Sequence, residues 1–266
     1  MSLVVRDLAV RYGRTPILHG LDFDAEPGAV TAIVGPNGSG KSTLLKAICG
    51  DLPYAGRITL NGTDVANAKP WALAALRGVL PQASTLAFPF QAIEVVRIGL
   101  AAGTGGDREG RAAAALERVG LNGYAERYYQ ELSGGEQQRV QLARVLAQVW
   151  EPKSAQGPHW LMLDEPVSSL DIAHQLQVMS IARAFALAGG GVVAVMHDLN
   201  LTGVFADRVL VMADGEILAF GTPKDVMTNA VLSRAYGCDL RVNALPQGGA
   251  PFVLPHNAQV HKMEAG

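Results

Sequence analysis

The sequence predicts an α/β fold around a mostly parallel sheet, and three observations carry that prediction. First, Ala29-Val30-Thr31-Ala32-Ile33-Val34, Trp160-Leu161-Met162-Leu163 and Val192-Val193-Ala194-Val195-Met196 are short apolar runs without alternation. A strand buried on both faces has this pattern, because helices cover both sides of a parallel sheet. Second, helical stretches separate the runs, as crossovers between parallel strands require. Third, each run ends on chemically capable residues: a glycine-rich segment from Gly35, the pair Asp164-Glu165, and His197. In open α/β sheets, ligands gather beyond the carboxyl ends of the strands.

The remaining elements follow in order. Leu3–Val10 partly alternates and meets a turn at Tyr12-Gly13-Arg14. Arg57-Ile58-Thr59-Leu60 ends at Asn61-Gly62, a strong hairpin signal. Together they predict an antiparallel β subdomain. From about Glu94 to Gln148 the chain is rich in Ala, Arg, Glu and Leu. It reads as an inserted α-helical subdomain, broken by Gly103-Thr104-Gly105-Gly106 and by a glycine turn at Ser133-Gly134-Gly135. Arg208–Met212 and Glu216–Phe220 flank Ala213-Asp214-Gly215, a second hairpin. From about Arg241, Pro246, Gly248, Gly249, Pro251 and Pro255 leave an irregular tail.

Composition narrows the function. Of 266 residues, 49% are hydrophobic and 17% charged, which suits a sizeable core and opposes broad disorder. Lys+Arg number 22 against Asp+Glu 24, so a partner coated along its length, such as nucleic acid, is disfavoured. Mean hydropathy is +0.18. Yet the longest apolar stretch, Ala184–Met196, is interrupted by Gly189-Gly190-Gly191 and falls short of the ~18 residues of a membrane span. The start, Met1-Ser2-Leu3-Val4-Val5-Arg6-Asp7, lacks signal-peptide order, so a cytosolic chain is expected. Cys49 and Cys238 form no metal or redox pattern and are expected to be buried, reduced thiols.

Gly35-Pro36-Asn37-Gly38-Ser39-Gly40-Lys41-Ser42 fits the G-x-x-x-x-G-K-[ST] phosphate loop, with a buried strand before it and a helix from Thr43 after it. The glycines let backbone N–H groups cradle phosphate oxygens, and the helix adds its positive end. Lys41 can reach the β- and γ-phosphates, and the Ser42 hydroxyl can ligate Mg²⁺. Asp164-Glu165 at a buried strand tip is costly unless something cationic uses it. One acid then suits Mg²⁺ and the other the attacking water.

At Leu132-Ser133-Gly134-Gly135-Glu136-Gln137 the sequence resembles the signature of ATP-binding cassette (ABC) transporter ATPases. With the phosphate loop and Asp164-Glu165 in that order, the resemblance covers about residues 2–240. It implies one phosphate-loop NTPase cassette, with a helical subdomain at about 83–148 and a tail at 241–266. It also implies roles for matching residues. Tyr12 stacks on adenine; Gln82, in Val79-Leu80-Pro81-Gln82, links the metal site to the helical subdomain; His197 is the switch histidine near the γ-phosphate. Ser168-Ser169-Leu170-Asp171 matches the loop that crosses to the other subunit. Ser133, Gly134, Gly135 and Glu136 form the turn that binds the γ-phosphate held by the other copy, so two ATP molecules join a head-to-tail homodimer. Glu165 is the base on the attacking water. Val167 and Ser169 depart from the usual Thr and Ala, with little effect expected.

Phe88–Gly99 and His197-Asp198-Leu199-Asn200-Leu201 look like the iron-siderophore, heme and vitamin B12 importer branch. The long connection Gln148–Trp160 and the helix Gly135–Gln148 resemble hemin importer ATP-binding subunits. This implies ATP hydrolysis powering heme import, with two copies of a membrane permease, a periplasmic substrate-binding protein reached through it, and peripheral attachment at the cytoplasmic face of the inner membrane. Ferric siderophore or vitamin B12 is the alternative cargo. A soluble ABC ATPase acting on DNA or ribosomes is the other class, disfavoured because no long heptad segment or second cassette is present. The chain is not expected to bind heme itself: His159, His256 and His261 lack a supporting ligand cluster.

Overall fold

A computed structural model describes residues 2–83, 86, 88–103, 110–245, 251 and 253–255. The chain opens with β1 (Leu3–Tyr12), β2 (Thr15–Ala25), β3 (Val30–Val34), α1 (Lys41–Ile48), β4 (Ala55–Leu60), β5 (Thr63–Asp64), α2 (Pro70–Leu76) and β6 (Arg77–Leu80). Next come α3 (Ala92–Ala102), α4 (Arg111–Arg118), α5 (Gly134–Gln148), β7 (Lys153–Ser154), β8 (Gly157–Pro158), β9 (Trp160–Asp164) and α6 (Ile172–Leu187). The last elements are β10 (Gly191–Val195), α7 (Leu199–Phe205), β11 (Arg208–Ala213), β12 (Glu216–Gly221), α8 (Pro223–Val226) and α9 (Asn229–Tyr236).

The central sheet has six strands in the order β12-β11-β3-β10-β9-β6. Its neighbours are parallel except β11 and β12, which form the expected second hairpin. The three apolar runs are its middle strands, and every residue of β3, β9 and β10 is buried. Alternate residues feed two separate cores. Val30, Ala32, Val34, Leu161, Leu163, Val192 and Ala194 join the core made with α3–α6. Ile33, Trp160, Met162, Val193 and Val195 join the core made with α1 and the antiparallel sheet β2-β1-β4-β5. Each fully buried Val, Leu or Ile contributes about 1.5–3 kcal/mol, so both faces hold the sheet in place.

Several elements were not evident in the sequence, among them β2, β6 and the hairpin β7-β8. In β2, Leu18, Leu21, Phe23 and Ala25 face inward, but a register shift around Gly20 breaks the alternation. β6 is only four residues long. The long connection before β9 forms the small hairpin β7-β8. Asn61, in the left-handed region at φ 53, anchors it: its Nδ2 donates to Pro158 O at 2.8 Å and its Oδ1 accepts from Trp160 Nε1 at 3.1 Å. His159 is buried, and its Nδ1–H donates to Glu151 O, so it is a packing residue.

Two expectations are corrected. The glycines of Ser133-Gly134-Gly135 do not form a turn ahead of the helix; α5 begins at Gly134, because Ser133 caps it. Cys49 is buried, and burial pushes its thiol up to about 12, but Cys238, just after α9, is exposed. Among the described residues, no helix is long and apolar enough to cross a membrane. The glycine break at 104–106, most of the tail, His256 and His261 lie outside the described residues.

Helix α5 braces the helices to the sheet. Gln148 Nε2 donates to Ala74 O and Arg77 O, and Arg144 Nη2 donates to Val79 O at 3.1 Å. At Gly99, α3 approaches so closely that a Cβ would sit 2.0 Å from Arg144 O. Gly99→Ala is therefore expected to destabilise the fold by about 1–3 kcal/mol. In a thermal melt, Tm should drop about 2–4 °C per kcal/mol; an unchanged Tm would contradict this contact.

Candidate active site

The parallel register sets the site. Val195 pairs with Ile33 and Asp164, and Leu80 pairs with Leu163, so the carboxyl ends of β3, β10, β9 and β6 lie level. The phosphate loop leaves β3, Glu165 follows β9, His197 lies two residues past β10, and Gln82 two past β6. One edge of one sheet thus gathers residues spread over the chain.

The phosphate loop must turn tightly from β3 into α1. Gly40 takes φ 96, and a Cβ there would meet Leu18 Cδ2 at 2.6 Å. A Cβ on Gly35 would lie 2.1 Å from Met212 O. Asn37 and Gly38 are exposed at the tip, and Pro36, Ser42 and Thr43 are half-buried. Helix α1 has no side-chain cap, and its first intrahelical bond is donated by Leu44 to Gly40 O. The N–H groups of Lys41, Ser42 and Thr43, in the first turn, have no intrahelical partner and are left for a ligand. Ser39 Oγ is buried without a partner. Lys41 is buried, and its Nζ donates to Gly35 O and Pro36 O, both at 2.9 Å. Burial holds this ammonium below its ordinary range, opposed by Glu165 and Asp164. The helix-start N–H groups and the Ser39 hydroxyl are under-satisfied in a way that a polyphosphate would correct.

Ser42 Oγ donates to Asp164 Oδ1 at 3.1 Å. Burial pushes the Asp164 carboxyl up, opposed by the Ser42 bond and reinforced by Glu165. Glu165 holds φ 51, in the left-handed region, with its N–H donating to Val195 O. Its Oε1 lies 2.6 Å from His197 Nε2, and its side chain is 14% exposed against 42% for His197. Tyr12, at the end of β1, is 53% exposed. Gln82 is exposed.

The signature residues stand at the start of α5. Ser133 and Glu136 form a reciprocal capping box: Ser133 N and Oγ each donate to Glu136 Oε2 at 2.8 Å, and Glu136 N donates back to Ser133 Oγ. Tyr124 OH donates to Glu136 Oε1. Gly134 and Gly135 occupy the first turn of α5, and a Cβ on Gly135 would press on Leu170 and Ser169 O. Asp171 caps α6, accepting from His174 N at 2.9 Å and from its Nδ1–H at 2.8 Å. Among the described residues, no side-chain hydrogen bond joins the signature to the chain's own phosphate loop. One residue that the sequence did not single out reaches the site: Gln138, on α5, donates to Glu165 O at 3.0 Å. Nothing in a helical run of polar residues marks it.

This fold and this edge define a phosphate-loop NTPase-type domain. The family profile described as ABC transporter matches residues 18–168. The chain is 62% identical to the Hemin import ATP-binding protein HmuV of Jannaschia sp. (strain CCS1) over 97% of this chain and 95% of that protein. It is also 62% identical to the protein of the same name from Roseobacter denitrificans (strain ATCC 33942 / OCh 114), over 97% and 99%. In fold, it superposes on a solved ATP-binding subunit of an ABC transporter with a TM-score of 0.75 at 23% identity, covering 90% and 95% of the two chains. The chain belongs to the ABC transporter family of ATP-binding proteins, and ATP binding follows from that membership.

The Glu136 carboxylate is held below the usual carboxylate range, first by the Ser133 hydroxyl, then by the Ser133 N–H and Tyr124. A depressed folded-state value gives stability that is present above the unfolded value, about 4.3, and lost as pH falls through the folded one. Glu136→Ala removes the N3 half of the capping box and its hydrogen bonds to Ser133 and Tyr124, and is expected to lower stability by about 0.5–1 kcal/mol at pH 7. Urea melts should show the gap to the parent closing below about pH 4; a gap constant across pH would sink the assignment.

Proposed function

We propose that the chain is the ATP-hydrolysing subunit that powers hemin import with a separate membrane permease. The observation that carries this reading is 62% identity to two proteins named for hemin import, over 97% of this chain. In this reading, residues 2–240 form one cassette, 83–148 its helical subdomain and 241–266 a tail. The chain sits at the cytoplasmic face of the inner membrane, as two copies on two permease subunits, with a periplasmic binding protein delivering the cargo. Phe88–Gly99 meets the permease, and the exposed Phe88 and Ile98 support that role.

Each residue then has a task. Tyr12 stacks on adenine. Gly35, Pro36, Asn37, Gly38, Ser39, Gly40 and Thr43 wrap the phosphates with their backbone N–H groups, Pro36 contributing shape alone because it has none. Lys41 exchanges the Gly35 and Pro36 carbonyls for phosphate oxygens. Ser42 and Asp164 are hard oxygen donors already in contact, a pair that fits Mg²⁺, with Gln82 as a third candidate. When bound, the ion supplies neutralisation of phosphate charge. Glu165 takes the proton of the water that attacks the γ-phosphorus. The bond to the bridging oxygen breaks, and ADP and phosphate are the products. His197 steadies the transferred group. Ser133, Gly134, Gly135 and Glu136 of one copy close the site of the other, with Asp171 at the shared boundary. Among the described residues no side-chain hydrogen bond ties the signature to the chain's own phosphate loop, and this supports the head-to-tail arrangement.

Glu165→Gln is expected to bind ATP, lose about 10²–10⁴-fold in turnover and accumulate as an ATP-bound dimer by size exclusion. Lys41→Ala should lose tight ATP binding instead. Parental turnover in Glu165→Gln would remove the glutamate from its role. For the cargo, the transporter should be reassembled in lipid nanodiscs and its ATPase compared with hemin, a ferric siderophore and vitamin B12. Stimulation by hemin supports the proposal; stimulation by either of the others without hemin overturns it.

A further inference from the structure

We infer that Gln138 is a positioning residue that couples the signature helix to the catalytic glutamate of the same chain. The inference rests on the head-to-tail dimer proposed above. There, the signature of one copy touches the ATP of one site, while its Glu165 serves the other site. Something must connect the two if the sites are to act together.

The geometry supplies the connection. Gln138 lies four residues after Gly134, one turn along α5 from the signature cap. Its Nε2 donates to Glu165 O at 3.0 Å. That carbonyl also accepts from Ser168 N at 3.3 Å and Ser168 Oγ at 3.2 Å. On its other side, the Glu165 N–H donates to Val195 O at 3.2 Å. The residue between these ties holds φ 51, a conformation that non-glycine residues adopt only when their surroundings impose it. Its backbone aims the carboxylate at His197. The Gln138 Oε1 is buried without a partner. Reversing the amide would set two acceptors against each other, so the donor end belongs toward Glu165. The capping box and the Tyr124 bond make the start of α5 stiff. A shift at the signature therefore reaches the Glu165 peptide through one helical turn and one hydrogen bond. The bond belongs to the scaffold of the base and leaves the phosphate loop untouched.

Gln138→Glu puts an acceptor where the donor stood, and Gln138→Leu removes the donor without adding charge. Both should be assayed in the assembled transporter, with ATP affinity measured on each. The expected result is a kcat at least tenfold lower, with KM and Kd for ATP within about twofold of the parent and a Hill coefficient for ATP falling toward 1. A residue needed only for folding would lower the active fraction and leave the Hill coefficient in place. Parental kcat and cooperativity in both variants overturn the inference, as does loss of ATP binding in both. If the isolated parent chain, monomeric by size exclusion, turns over at a rate linear in its concentration, the dimer reading fails first and takes the inference with it. That result is read on the parent, so the two failures are distinguishable.

Discussion

Burial of both faces of the central sheet is the constraint on which the chemistry depends. A parallel strand with two apolar faces cannot slip by one residue without exchanging one core for the other. In β9, that would send Trp160 and Met162 into the helical core and Leu161 and Leu163 out of it. The register is therefore over-determined, and with it the level of the strand ends. Asp164, Glu165, His197 and the phosphate loop meet at one edge because their strands have no other way to lie.

A second constraint comes from α5. It carries the signature at its start and bonds along its length to Glu165, Val79, Ala74 and Arg77. The strand bearing the carboxylates and the strand leading to Gln82 are thus held by one helix. The missing side chains at Gly99 and Gly103 let α3 lie against its backbone. Polar side chains on a largely buried helix satisfy backbone carbonyls at the ends of strands and helices, where the ladder leaves them open.

Much of this is legible in the sequence, for physical reasons. Doubly buried strands betray themselves by lacking alternation, so β3, β9 and β10 stand out. The phosphate loop and Asp164-Glu165 are contiguous in the chain, so residue order alone reveals them. β2 is hidden because its shift around Gly20 interrupts the period, and β6 because four residues hold too little pattern. The start of α5 is misplaced because glycines read as breakers, whereas the capping box of Ser133 and Glu136 makes them the first helical turn. Gln138 is hidden for a different reason. Its importance lies in a partner 27 positions away, and no local pattern reports a tertiary hydrogen bond.

The proposed head-to-tail sharing of each site makes assembly a condition of activity. On the proposed reading, a lone chain is two half-sites, and its activity in dilute solution grows with the square of its abundance. A net charge of -2 gives two copies no long-range attraction to hasten their meeting. Tethering both to one membrane partner replaces bulk abundance with an effective concentration of about millimolar order. Surplus unassembled chains would then leave cellular ATP largely untouched, which makes overproduction of this subunit metabolically inexpensive.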